Sequence, residues 1–211
     1  MDLAHPRLAW RIAAFIAVAL SAAAFSALLT PVGSIGIGPA APTCFGEPAT
    51  IIGTPGPDSI RGTPGDDVIV ALAGPDHVEV RGGEELVCGG PGDDLLGVSG
   101  ADSRGTDDKV RGGGGDDFLG TAKGDDILRG DAGSDEIDGS VGHDVIWGGR
   151  GHDELRGDGA DLRHPGDDVI RGGRGHDKLW GHDGDDRLNG EDGRDDCFPG
   201  LGDDQVRNCE R

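Results

Sequence analysis

The chain has 211 residues, a formal charge of −21 at pH 7 and 42 glycines. Hydrophobic residues make up 35% of it and aromatic residues 4%. So acidic a chain argues against nucleic acid as a partner, because that interaction needs basic surface.

Residues 1–41 read as a helical secretory signal followed by a short linker. Arg7 and Arg11 precede an apolar run from Ile12 to Leu29, and small residues follow. Cleavage fits after Ser26 or after Ala40. The run approaches the ~18 residues that can span a membrane, so an uncleaved anchor is the alternative; after cleavage no stable span is expected. The residues before Cys44, "APT", do not make a lipid-attachment box. Residues 42–52 contain "CFGEPATII" (44–52), a degenerate copy of the repeat that follows, and are expected to cap it.

From Gly53 to Arg207 sixteen nine-residue rows repeat G-x-x-G-x-D-x-U-x, where U is aliphatic, as in "GTPGDDVIV" (62–70) and "GGRGHDKLW" (172–180). They form blocks starting at 53, 103 and 163, separated by insertions read as Val98–Asp102 and Gly157–Leu162. Residues 208–211 are a tail. A period this short means a solenoid. Residues seven to nine of each row make a short strand whose eighth side chain points inward. Glycines at positions one and four are expected to supply positive φ in a tight turn. The fold class that follows is all-β: a solenoid of stacked parallel strands without helices.

Position six holds Asp58, Asp67, Asp76, Glu85, Asp94, Asp108, Asp117, Asp126, Asp135, Asp144, Asp153, Asp168, Asp177, Asp186, Asp195 and Asp204. Stacked rows turn these into columns of like charge, which must be neutralised for the coils to coexist. A hard cation with oxygen ligands suits turns rich in carboxylates and exposed carbonyls. Calcium, with flexible six- to eight-fold coordination, fits better than strictly octahedral magnesium.

The rows resemble the RTX, or hemolysin-type calcium-binding, nonapeptide repeat, and the resemblance implies a parallel β-roll, or β-solenoid, in which two rows make one coil, about eight coils in all. The resemblance implies calcium held between rows i and i+2 by the turn Asp and nearby carbonyls: Asp58 with Asp76, Asp67 with Glu85, Asp116–Asp117 with Asp135. The three blocks contain ten such pairs, or fourteen if the insertions loop out of an unbroken stack. The first forty residues carry a net +1, which leaves −22 for the remainder of a chain whose total is −21. About ten Ca2+ would therefore nearly neutralise the roll. Folding coupled to calcium is expected, as is secretion, since extracellular calcium is abundant. The most regular rows, 112–156 and 163–189, are expected to hold the best sites. The rows "ALAG" (71–74) and "VRGG" (80–83), which lack the first glycine, are expected to hold weaker ones.

Cys44, Cys88, Cys197 and Cys209 suggest two disulfides in an oxidising compartment, with three connectivities open. The favoured pairs are Cys44–Cys88, which requires the first segment to leave the stack, and Cys197–Cys209, in rows two apart. No catalytic motif is found, and the repeats leave no room for a catalytic domain before them. His143, His152 and His176, at position five, read as exposed turn fillers, with a zinc or pH-sensing role as the alternative. Trp147 and Trp180, at position nine, read as single surface aromatics, with a partner or glycan face as the alternative. The leading function is a secreted, non-catalytic calcium-binding protein with a structural, cell-surface or matrix role. The alternative is an accessory or remnant repeat domain of an RTX-type enzyme or adhesin.

Overall fold

The structure, a computed structural model, describes residues 40–98, 105–159 and 166–210. The expected signal lies outside the described residues up to Pro39. Among the described residues there is no helix. The chain winds as a parallel β-solenoid of about eight coils whose strands form one eight-stranded and one nine-stranded sheet.

Alternate rows feed alternate sheets. The first sheet runs from Ser59–Arg61 through Glu136–Ser140 to Asp196–Leu201, the second from Ile51–Ile52 through Val145–Gly151 to Gln205–Arg207. Position eight stacks on itself in both: Ile137 on Leu155 on Leu179 on Cys197, and Leu128 on Ile146 on Ile170 on Leu188. These side chains are fully or almost fully buried and form a core one residue deep per row. Several strands are longer than the expected three residues. Val145–Gly151 and Val169–Gly175 span seven, because pairing continues into the next row's turn.

The glycines do not act as expected. Positive φ falls mainly at positions two and four, not at positions one and four; Gly82 has it at position three, and Gly56 and Gly65 at position four do not. Gly113, Gly149 and Gly173 occupy position two with φ of 127°, 121° and 115°, and Leu72, Asp131, Ser140, His182 and Glu191 adopt the same region there. Position one is glycine for space. A Cβ on Gly130 would lie 2.7 Å from the Gly148 carbonyl oxygen of the neighbouring coil and would run into the Asp135 carboxylate of its own row. Where the row holds Ala71, Val80 or Val98 at this place, the side chain joins the core.

Both insertions are displaced from where the sequence reading put them. Val98 pairs with Val80, is buried, and serves as position one for the row of Asp108. A Cβ on Gly157 would run into the Asp168 carboxylate, so Gly157 serves as position one for that row. Pairing continues across both interruptions and the stack is unbroken: Leu95 pairs with Phe118, Leu86 with Lys109, Val145 with Val169 and Glu154 with Lys178.

The ends are closed differently. Thr43–Cys44 pairs antiparallel with Glu47–Pro48, a hairpin that leaves the stack before Ile51 enters it opposite Ile69. That departure brings Cys44 within bonding reach of Cys88, at a Cα–Cα distance of 5.8 Å. At the other end Cys197 is bonded to Cys209, which packs against the core, and the Glu210 N–H donates to the Asp195 carbonyl at 2.8 Å.

Candidate metal centre: the turn carboxylate ladders

Each turn places position six under the coil that precedes it in the stack. One oxygen of each position-six carboxylate, from the third row onward, accepts the backbone N–H of the position-six residue two rows earlier. Asp126 N–H donates to Asp144 Oδ1 at 2.8 Å, Asp144 N–H to Asp168 at 2.8 Å and Asp168 N–H to Asp186 at 2.8 Å. Fourteen such bonds run from Asp58–Asp76 to Asp186–Asp204, and they cross both insertions. All sixteen residues singled out from the sequence therefore lie in two continuous columns, one at each turn. Fourteen are buried; Asp58 and Asp204, at the ends, are partly exposed.

The second oxygen is different. It is buried and has no hydrogen-bond partner in Asp76, Glu85, Asp94, Asp117, Asp126, Asp135, Asp144, Asp153, Asp168, Asp177, Asp186 and Asp195. In the rows whose position one is glycine it sits in the space that residue leaves, beside a carbonyl of the stacked coil: a Cβ on Gly148 would lie 2.7 Å from the Gly172 carbonyl oxygen, and one on Gly139 would lie 2.8 Å from that of Gly157. Burying so many charged oxygens without partners is strongly unfavourable unless a proton or a cation reaches them. The donors are all oxygens, from carboxylates and carbonyls, which is the chemistry a calcium ion takes.

Electrostatics say the same. Burial, followed by the charges of Asp126, Asp168 and Asp158, pushes Asp144 up to about 9 against the lowering effect of the Asp126 N–H. Burial also raises Glu85 to about 8, Asp168 to about 8, and Asp117 and Asp153 to about 7. Carboxylates this hard to ionise in the bare fold are poised for a partner that removes the mutual repulsion.

Not all rows are alike. In the first two, Thr54 and Thr63 turn their backbone N–H groups onto the second oxygen of Asp58 and Asp67, each at 2.6 Å, and add their hydroxyls at 3.1 and 3.0 Å. Those carboxylates are satisfied inside their own turns. Asp158 is a group the repeat template does not flag. It is buried at a turn, accepts the Gly166 N–H at 3.1 Å, keeps one oxygen unpartnered and is raised to about 6, mainly by burial. The only sequence signal for it was an Asp beside an insertion.

Position five forms a second, outer ladder with the opposite sense. Here the side chain of one row accepts the N–H of the row two later: Asp116 N–H donates to Asp93 at 3.0 Å and His143 N–H to Asp125 at 2.9 Å. The histidines expected to be turn fillers are members of it. Asp167 N–H donates to His143 Nδ1 at 2.7 Å and His176 N–H to His152 Nδ1 at 2.8 Å, and the two rings His152 and His176 stack with centroids 5.2 Å apart. A donor aimed at Nδ1 uses its lone pair, so the Nδ1 atoms of His143 and His152 are acceptors in this ladder. Position five is thus filled mostly by acceptors, His and Ser134 alternating there with Asp, and Pro57, Pro75 and Arg194 are the exceptions.

A parallel solenoid that presents carboxylate oxygen at fixed intervals along both turns defines a repeat protein built around its turn acids. The RTX calcium-binding nonapeptide repeat matches residues 49–78, 61–96, 105–128, 120–155, 165–197 and 179–206, and the chain belongs to this family. No curated protein matches the chain.

Proposed function

We propose that the chain is a secreted, non-catalytic calcium-binding protein whose β-roll is completed by several calcium ions between stacked turns. The observation that carries this is the run of buried, unpartnered carboxylate oxygens in phase with the repeat. Position six supplies the charged ligand in rows from Asp76 onward, with position-one carbonyls of the stacked row beside it. The regular rows 112–156 and 163–189 hold the tightest sites, while Asp58 and Asp67, engaged by Thr54 and Thr63, bind weakly or not at all. The disulfides and the signal-like residues 1–41 support an extracellular role, structural or at a cell surface or matrix. The N-terminal division into signal (1–41), cap (42–52) and roll (53–207) belongs to this reading.

Calcium titration of the chain by calorimetry, with circular dichroism in parallel, tests it. About ten ions bound with a concerted gain of β signal is the expected result. A stoichiometry of one or none, or the same β signal in chelator and in calcium, overturns it.

A further inference from the structure

The two sheets carry opposite charge on their outer faces, although the chain as a whole stands at −21. The outward positions seven and nine of the first sheet hold five acids, Glu79, Glu136, Asp138, Glu154 and Asp196, and three cations. Each of those cations is paired: Arg61 to Glu79 at 3.0 Å, Arg156 to Glu136 at 2.7 Å and Lys178 to Glu154 at 2.7 Å. The same positions of the second sheet hold no acid and six cations: Lys109, Arg111, Arg129, Arg171, Arg187 and Arg207. Arg111 meets Asp131, and Arg171 reaches Glu191 only at 4.0 Å. Lys109, Arg129, Arg187 and Arg207 are exposed and have no acidic partner among the described residues.

The register arranges these side chains in a line. Arg111 neighbours Arg129, Arg129 neighbours Trp147, Trp147 neighbours Arg171, and Asn189 separates Arg171 from Arg207. At about 4.8 Å per strand the line is about 24 Å long. The half-buried Trp147 ring lies beneath the Arg129 guanidinium at 4.7 Å. Grooves follow the line: one of about 360 Å³ is lined by Trp147, Arg150, Arg171 and Arg174, with Asp131, Glu191 and Asp192 at its edge, and one of about 290 Å³ lies between Arg171, Arg187 and Arg207.

We propose that this stripe binds a single strand of anionic polysaccharide, carboxylated or sulfated. Unpaired cations in a row call for a polyanion, and the stripe's geometry selects a slender one. It is one short strand wide and is bordered by the exposed position-five acids of the turns, among them Asp125, Asp167 and Asp185. A duplex or a flat anionic membrane would press its charges against those acids, whereas one sugar chain fits between them. Single-stranded nucleic acid is held by successive bases stacking on several aromatic rings, and the stripe offers one ring, with a guanidinium already over it.

Dextran sulfate in millimolar calcium and physiological salt is the probe, with neutral dextran and oligothymidylate beside it. The wild-type chain binds dextran sulfate and not dextran. The exposed-face variant Arg129→Gln/Arg187→Gln/Arg207→Gln keeps the wild-type circular dichroism and loses about tenfold or more in affinity, given the modest worth of each exposed pair. The first-sheet variant Arg61→Gln/Arg156→Gln/Lys178→Gln binds as the wild type does. Equal loss in the two variants, no binding by the wild type, or tighter binding of oligothymidylate than of dextran sulfate overturns the proposal.

Discussion

Asp144→Asn separates the two duties of a turn carboxylate. The amide oxygen keeps the acceptor for the Asp126 N–H, now at 2.8 Å, and the nitrogen replaces the unpartnered oxygen. Without metal, burial raises Asp144 to about 9 in the roll from an ordinary carboxyl value of 3.8, so at pH 7 folding must hold an acid neutral that the unfolded chain ionises. At about 1.36 kcal/mol per pH unit that costs on the order of 4 kcal/mol, and asparagine does not bear it. In calcium the sign reverses. Asp144 stands between the turns of Asp126 and Asp168, so the substitution removes a charged ligand from two intervals. Each site lost at a hundredfold excess of calcium over its dissociation constant withdraws about 2.7 kcal/mol. Thermal unfolding followed by circular dichroism, in chelator and in saturating calcium, should show the variant more stable than wild type in the first and less stable in the second. Destabilisation of the same size in both would mean that the carboxylate is only a hydrogen-bond acceptor, and the calcium reading of the column would fall.

In chelator the metal-free roll should gain β structure on acidification. Asp144, Glu85 and Asp168 are raised by burial to about 9, 8 and 8, so the folded chain holds more protons than the unfolded one; stability is greatest near the unfolded value of about 4 and is lost as pH rises to about 9, which a pH series of circular dichroism spectra would check. Gly133→Ala should cost about 1–3 kcal/mol, because φ is +142° and the new Cβ would run into the Gly115 carbonyl, whereas Gly65→Ala at the same repeat position meets nothing within 4 Å and should change stability by less than about 0.5 kcal/mol in thermal melts. Replacing Cys44 and Cys88 by serine opens a 44-residue loop and should lower stability in calcium by up to about 4 kcal/mol; replacing Cys197 and Cys209, only 12 apart, should cost up to about 3, compared by denaturant titration.

What was legible in the sequence is what side-chain identity fixes. The phase of Ile146 with Asp144 forces one inward and places the other at the turn, so the core column, the acid column and the parallel roll follow from the template alone. Both disulfide pairs were legible too, although the N-terminal hairpin that makes Cys44–Cys88 feasible was inferred only as a condition. Backbone conformation was not legible. Leu72, Asp131 and His182 take positive φ at position two without advertising it, because neighbouring coils impose the turn there. The insertions were misplaced because Ser103 and Arg163 were counted as position one, while the stack uses Val98 and Gly157, which only pairing and close approach reveal. The position-five ladder was missed because an exposed Asp or His looks the same in sequence whether it faces water or a neighbour's N–H. The charge asymmetry of the two sheets was invisible until alternate rows were separated.

The rows also change character along the stack, and the change has a physical logic. At the N-terminal end the column of position one carries Ala71, Val80 and Val98, which bury apolar surface, and the turn acids Asp58 and Asp67 are closed by threonines. The Cys44–Cys88 bond staples the same region. From Gly112 to Gly190 position one is glycine in every described row but that of Thr121; the core thins to one side chain per row, and the unpartnered oxygens accumulate. Stability in the first region rests more on apolar burial and a covalent link, although Asp76 and Glu85 there also keep an unpartnered oxygen, and in the second on what occupies the acid columns. In a solenoid each coil touches only its neighbours, so a coil that is already ordered lowers the cost of ordering the next. Each position-six residue accepts, through its carboxylate, the N–H of the residue two rows before it and donates its own N–H to the carboxylate two rows after it, so an ion that fixes one turn also fixes half of the next site. The N-terminal rows can thus serve as the template from which order spreads, turn by turn, into rows that the sequence alone leaves too acidic and too thinly packed to fold.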